Sequence, residues 1–307
     1  MFDTDNKKMI RKGKVKEVWD DGNYLYFKFT DNISVFDKII PSSIPYKGMS
    51  LCLTSYHWFS LLNDFGIKNH FIELIDKNVM KVTKLDVIYD YSKITTKTTN
   101  YLIPLEVIVR YYAAGSLMDR IEKGEINPES LGFPKGYKVK YGDKLPSPFF
   151  EVTTKLEKVD RPLTEEEALK ISGLTKENMK SLKDMSLKID TIIHREIEKR
   201  GLIHVDGKKE YGMDKNRNII VIDTFGTADE DRFWDAEQYK KGKFIELSKE
   251  EVRQYYRSIG YFDKLMEARK NHKEEPEIPP LPEEKIKQVS NLYIDMYTKL
   301  TGKNFVM

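Results

Sequence analysis

Among 307 residues there is one cysteine, Cys52. A lone thiol excludes an internal disulfide and any metal site built from several cysteines. Cys52 sits in the apolar stretch 49–53 and is expected in the core of a protein from a reducing cytoplasm. Long apolar runs are also missing: nothing approaches the roughly 20 residues that span a bilayer. Residues 1–12 have no apolar signal core, so neither membrane nor export is expected. The five histidines are scattered without metal-ligand spacing, and His204 alternates inside a strand pattern, as a structural residue does. The net charge of +3 is too small to favour nucleic acid. Arginine is scarce, 11 against 41 lysines. Each arginine gains weight from that scarcity, because lysine cannot copy a planar bidentate fork. No internal repeat or low-complexity tract interrupts the chain.

What is present is a globular composition, 40% hydrophobic and 33% charged, long enough to bury a real core. The first hundred residues read as β-rich: strands at 10–19, 24–29 and 33–36, with Asp20-Asp21-Gly22-Asn23 as a hairpin turn. A helix is expected over 56–63, then strands near 70–75, 79–82 and 85–89. The middle reads as an apolar strand over 105–112, a short helix from Ser116, and a Pro- and Gly-rich loop over 127–151. Thr164 followed by three glutamates starts a helix, with Thr164 as N-cap. Helical periodicity returns over 178–200. Strands at 202–205 and 219–222 pair around a turn at Asn216. The last segment reads as helices over 248–258 and 283–300, with 270–277 as a solvated hinge.

Several stretches carry chemistry. Strand 219–222 runs into Asp223, Asp229, Glu230, Asp231 and Arg232. Carboxylates at the mouth of a strand hold hard cations, and a neighbouring arginine holds phosphate or carboxylate. A solvated acidic turn with a local ion pair fits the same residues. Asp206, Lys208 and Glu210 alternate, so an extended chain puts them on one face. With Asp223 they suit Mg²⁺ and nucleotide phosphates, although a cross-strand salt bridge remains open. Gly13 lets the backbone approach a polyphosphate that Lys14 and Lys16 would neutralise; a basic surface turn has the same composition. Arg110 lies in an apolar strand, where it needs an anionic partner. Gly115-Ser116 then opens a helix whose first amides attract anions. Phosphate and a buried Arg–Glu pair are equal readings. The stretch 148–157, with Thr153, Thr154, Lys155 and Glu157, and Asp160 beyond it, reads as a polar loop, either closing over a substrate or plain surface.

In this order the segments resemble the SAICAR synthetase family (phosphoribosylaminoimidazole-succinocarboxamide synthase), over essentially the whole chain. The resemblance rests on Gly13-Lys14-Val15-Lys16, Ser34-Val35-Phe36-Asp37, Pro45-Tyr46-Lys47-Gly48, Pro104 to Arg110 with Gly115-Ser116, Thr153 to Glu157 with Asp160, Asp206-x-Lys208-x-Glu210-x-Gly212, and Asp223 and Asp229 with Arg232-Phe233-Trp234. It implies an α+β fold: an N-terminal antiparallel β-rich nucleotide-binding domain (1–100), a central ATP-grasp-like catalytic domain (101–245) and a C-terminal helical segment (246–307). It implies a cytoplasmic ligase using ATP and Mg²⁺. ATP would phosphorylate the carboxylate of a carboxylated aminoimidazole ribotide, and the amine of L-aspartate would displace the phosphate. Small molecules are then the partners, and the protein a monomer or small homo-oligomer.

The resemblance also implies roles. Gly13, Lys14, Lys16 and Glu210 would hold ATP, and Glu210 and Asp223 the metal. Lys208, Asp229 and Arg232 would serve catalysis, with Asp229 one candidate for the amine proton. Ser34, Asp37, Arg110, Ser116, Thr154, Lys155, Asp160 and Arg232 would bind substrates. The third motif departs from the family pattern Asp-Glu followed by Thr-Pro-Asp-Ser-Ser-Arg. Thr224 replaces an acid, Glu230 and Asp231 replace two hydroxyls, and Val159 stands where the family tends to have histidine. A diverged ligase for another carboxylate and amine, a small-molecule kinase and a silent nucleotide-binding paralogue are the alternatives.

Overall fold

The computed structural model describes residues 2–306. Two antiparallel sheets face each other across a cleft. The first contains β1 (Lys8–Lys12), β2 (Lys16–Asp20), β3 (Tyr24–Phe29), β6 (Phe71–Asp76) and β7 (Val79–Thr83), in the order β1-β2-β3-β7-β6. The expected strand over 10–19 is two strands. Gly13 N donates to Lys16 O at 2.8 Å, turning the chain back on itself. That turn puts Lys14 at its tip and Lys16 on the cleft. A small hairpin, β4 (Asn32–Val35) and β5 (Lys38–Ser43), leads into helix α1 (Lys47–Asp64). α1 starts nine residues before the expected helix. Its first turn is capped from a distance, Asp31 Oδ1 accepting from Gly48 N at 2.9 Å, so no local cap marks the start.

The second sheet contains β8 (Tyr101–Tyr112), β9 (Lys144–Thr154), β10 (Leu202–Met213), β11 (Ile219–Ile222) and β12 (Asp231–Asp235). Its order is β11-β10-β8-β9, and β12 pairs with β10 beyond the end of β11. β9 occupies ground expected to be loop. It is an edge strand whose one strand partner is β8, and an edge tolerates Pro146 and Pro148 because a missing N–H there need not break a ladder. Residues 85–89 form no strand; the sole pairing is a bridge from Asp86 to Tyr101. The sheets join where Val221 N donates to Lys68 O and His70 N to Val221 O, both at 3.1 Å.

Short helices α2 (Gly115–Glu122) and α3 (Glu165–Ser172) precede the long α4 (Lys176–Glu198). Thr164 caps α3 in a full capping box with Glu167. α4 lays Leu182, Ile189, Ile193 and Ile197, all essentially inaccessible, against the back of the second sheet. Burial of such side chains contributes about 1.5–3 kcal/mol each. The chain closes with α5 (Ala236–Lys240), α6 (Glu250–Ser258), α7 (Tyr261–Lys270) and α8 (Glu283–Thr301). α7 was not expected; α8 packs along α1. The α+β expectation holds. Among the described residues no helix is long and apolar enough to cross a membrane, and Cys52 is buried and free.

Three histidines are kept neutral by burial. His70 is pushed down to about 3, and His57 and His194 to about 4. An unfolded histidine takes its proton near 6.5. Between about 6.5 and 4 the unfolded chain therefore binds more protons, and stability falls as pH falls. His70, fully enclosed, contributes up to about 1.4 kcal/mol per pH unit in that window; solvent reduces the share of the other two. Urea midpoints should drop steadily from pH 7 to pH 5. A flat profile would contradict this.

Candidate active site

The cleft between the sheets has a volume of about 1040 Å³. At one end Val15 of the β1–β2 turn and Val18 and Leu25 of the first sheet line the cleft with Leu102 and Ile222 of the second sheet and Leu85, which packs on them. Two aliphatic layers of this kind suit a flat heterocycle. Lys16 stands between this apolar end and the polar floor, ion-paired with Asp223 and over the Phe27 ring at 4.2 Å. Asp223 follows β11 with φ at +58°, a left-handed position that aspartate tolerates better than most residues. Burial alone would raise its carboxyl; Lys16 and Lys155 outweigh that and hold it well below the usual carboxylate range.

Strand register builds the floor. Glu210 of β10 lies directly opposite Glu106 of β8, a like-charge pair that repels unless compensated. Two lysines compensate it. Lys155 Nζ lies 2.5 Å from Glu210 and 3.7 Å from Glu106; Lys208 Nζ lies 3.0 Å from Glu106 and 3.4 Å from Glu230. Burial raises the Glu106 carboxyl despite the nearby lysines. Burial opposes the Lys208 charge, yet Glu230, Glu106 and Glu210 lift its pKa well above the ordinary lysine value. The floor is thus two lysine ammoniums held cationic among three carboxylates, Glu106, Glu210 and Glu230.

The far end is rich in arginine. Asp206 pairs in register with Arg110 on one side and Arg232 on the other. Its Oδ2 lies 3.3 Å from Arg110 Nη1 and 2.5 Å from Arg232 Nη1. Arg110 also holds Glu151 at 2.7 Å and donates to Ser116 Oγ at 3.1 Å. Both open readings of Arg110 meet here: it has a buried carboxylate partner and also reaches the start of α2. Arg232 packs against that helix start so closely that a Cβ on Gly115 would lie 2.6 Å from Nη2. Lys249 and Arg253 of the α6 region line the same end.

The two departing acids have different fates. Asp231 turns its carboxylate away: Oδ2 lies 2.7 Å from His204 Nε2, and Oδ1 accepts from Gly226 N at 3.0 Å. Gly207 makes the room, since a Cβ there would sit 2.3 Å from Asp231 Oδ2. His204 is the structural residue its alternation suggests. Glu230 instead faces the cleft beside Lys208. Asp229 is enclosed by Lys47 at 2.9 Å, Lys249 at 3.7 Å and the Tyr293 hydroxyl at 2.5 Å. Burial would raise its carboxyl, but Lys249, Lys47 and Tyr293 hold it well below the usual range.

Gly13, Lys14, Lys16, Ser34, Lys155, Lys208, Glu210, Asp223, Asp229 and Arg232 all reach the cleft wall. Five expected residues do not. Arg110 shares Asp206 with Arg232 and donates to Ser116, and neither Arg110 nor Ser116 lines the cleft. Thr154 is fully buried, its Oγ1 accepting from Arg161 N at 3.1 Å. Asp37 is exposed and holds Lys14 at 2.6 Å. Asp160 lies largely exposed on the adjoining segment, and partial burial raises its carboxyl against the pull of Lys208 and Lys155. Sequence reasoning missed Glu106, Lys249, Arg253 and the aliphatic walls. Glu106 had a signal, an acid in an apolar strand beside Arg110; a lysine and an arginine on a surface-like helix had none.

Comparison with known proteins gives one family. The SAICAR synthetase family model matches residues 9–268. The phosphoribosylaminoimidazole-succinocarboxamide synthase of Thermoplasma acidophilum is 54% identical, covering 97% of this chain and 100% of that one. The Thermoplasma volcanium protein of the same name is 53% identical with the same coverage. Among solved structures, a type-2 SAICAR synthetase in complex with ADP superposes with a TM-score of 0.68 at 26% identity, over 97% and 99% of the two chains. The Saccharomyces cerevisiae SAICAR synthase complexed with SAICAR gives a TM-score of 0.76 at 24% identity, over 98% and 97%, a likeness of fold.

Proposed function

The chain belongs to the SAICAR synthetase family, and from that premise we propose how its own residues carry the ligation. The enzyme joins L-aspartate to the carboxylate of carboxyaminoimidazole ribonucleotide with ATP, in purine biosynthesis. A carboxylate is a poor acyl donor until one oxygen becomes a phosphate leaving group. The ribotide carboxylate oxygen attacks the γ-phosphorus and ADP departs. The aspartate amine then attacks the acyl carbon, phosphate leaves with the former carboxylate oxygen, and the nitrogen loses a proton. Phosphoryl transfer needs positioning and charge neutralisation more than covalent help.

The observation that carries this reading is the floor, where Lys208 and Lys155 stay cationic between an apolar slot and an arginine-rich end. The slot takes the adenine, with Gly13, Lys14 and Lys16 along the phosphates. Lys208 and Lys155 face the reacting carboxylate and the transferred phosphoryl group. Arg232, Lys249 and Arg253 hold the ribotide phosphate, with Arg110 fixing Arg232 through Asp206 and the helix start through Ser116. Ser34 and Asp160 border the amine substrate. Thr154 and Asp37 act through Arg161 and Lys14.

Glu210 and Asp223 suit Mg²⁺. Glu210 lies on β10 opposite Ile222, and Asp223 follows directly at the end of β11; among the described residues no group of three or more His, Cys, Asp or Glu could hold a metal ion. Mg²⁺ favours one or two carboxylates, with phosphates and water completing its shell. Bound there, it would neutralise phosphate charge. Asp229 is better read as a holder of Lys47 and Lys249 than as a proton acceptor, because those groups suppress its affinity for protons. Glu230, facing the cleft with Lys208 as its ion partner, is the better placed carboxylate for the amine proton. A cytoplasmic location goes with the same reading and with the buried free thiol of Cys52.

ADP release should require Mg-ATP and the ribotide together and depend on L-aspartate, with a succinocarboxamide product by mass. ADP release independent of any amine would instead indicate a kinase. Gly115→Ala should raise the ribotide KM about tenfold and leave the ATP KM unchanged, since a Cβ 2.6 Å from Arg232 Nη2 must push the guanidinium aside. Equal changes in both constants would count against the placement of the ribotide phosphate.

A further inference from the structure

The family model ends at residue 268, yet α8, beyond it, touches a residue of the cleft wall, Asp229, through Tyr293. Tyr293 is fully buried, and its hydroxyl donates to Asp229 Oδ1 at 2.5 Å. The other oxygen of Asp229 is shared by Lys47, 2.9 Å away, and Lys249, 3.7 Å away. Lys47 Nζ also lies 5.3 Å above the Tyr293 ring. The backbone around Tyr293 is fixed as well: Ser50 Oγ donates to Tyr293 O at 2.6 Å and Ser290 Oγ to Pro45 O at 2.7 Å. Of this cluster only Asp229 and Lys249 line the cleft.

We propose that Tyr293 is a positioning residue for substrate binding, acting through Asp229 to place the Lys249 ammonium at the anion end of the cleft. The inference rests on the function proposed above. Without the phenol, Oδ1 becomes a buried carboxylate oxygen lacking its donor, a costly state. The carboxylate then turns toward its lysines. The Lys249 ammonium, whose other hydrogen-bond partner is Ser34 Oγ at 3.4 Å, moves with it. Lys47, the first residue of α1, is fully buried against Tyr293 and has less freedom to follow.

The test compares calorimetric Kd values for carboxyaminoimidazole ribonucleotide and for ADP. Tyr293→Phe keeps the ring and removes the hydroxyl. It should weaken the ribotide about tenfold and leave ADP unchanged. Ser290→Ala removes a neighbouring tie of α8 without touching Asp229; it should lower Tm and leave both Kd values alone. Asp229→Asn should reproduce the ribotide loss, and adding Tyr293→Phe to it should cost nothing further. Wild-type ribotide affinity in Tyr293→Phe, parallel loss of ADP, a ribotide loss in Ser290→Ala as large as in Tyr293→Phe, or additive losses in the double variant would each overturn the proposal. If the wild-type protein binds ADP but not the ribotide, the proposed function fails, and this inference with it.

Discussion

Glu210→Gln should leave a folded protein whose kcat/KM with Mg-ATP is lower by about 10³-fold, the scale of losing one preorganised charge partner in phosphoryl or acyl transfer. The substitution keeps the volume of the side chain and removes its charge. Lys155, now 2.5 Å from Glu210, keeps Glu106 at 3.7 Å as its counter-ion. No buried charge is orphaned, so Tm should move by only a few degrees. The loss falls on the metal-dependent step. The Mg²⁺ concentration for half-maximal rate should rise steeply, while nucleotide affinity measured without metal changes little. Near-normal turnover at ordinary Mg²⁺ would remove Glu210 from the metal site.

The largest stability effect is expected one residue earlier, on the opposite face of the same strand. Alternation turns Lys208 to the cleft and Lys209 to α4, where Nζ lies 2.5 Å from Asp190 Oδ1 with both side chains fully enclosed. Tyr111 donates to the second oxygen of Asp190 at 2.9 Å. Lys209→Met strands a carboxylate in the core and should cost about 3–5 kcal/mol. Combining it with Asp190→Leu removes both charges and should recover much of that loss. The unpaired Tyr111 hydroxyl then accounts for about 1–3 kcal/mol of the remainder. Urea unfolding of the two variants measures both. A single variant that costs under about 1 kcal/mol would contradict the burial argument.

Lys208 and Lys209 show what the sequence made legible and what it did not. Period-two alternation put Asp206, Lys208 and Glu210 on one face. The turn at Asn216 pairs β10 with β11, so the juxtaposition of Glu210 and Asp223 was readable from local pattern. The N-cap at Thr164 and the stripe on α4 were readable for the same reason: helix and strand periods act over a few residues. What failed was non-local. Glu106 meets Glu210 across 104 positions because two long strands share a register. The start of α1 is capped by Asp31, outside any local window. β9 looked like loop because prolines suggest one, and only its place at the sheet edge makes them harmless. Glu230 and Asp231 stand where the family pattern has hydroxyls. His204, 27 positions away, takes one of them out of the cleft, and Lys208 neutralises the other.

The central claim is that an acyl phosphate forms between the cationic floor and the arginine-rich end of the cleft. Its most direct test is a turnover with ribotide carrying ¹⁸O in the carboxylate, followed by mass analysis of the released phosphate. The account predicts one ¹⁸O in each phosphate, carried by the oxygen that attacked the γ-phosphorus and left with it. Unlabelled phosphate formed together with the amide would contradict it, because the carboxylate oxygen would then have left by another route.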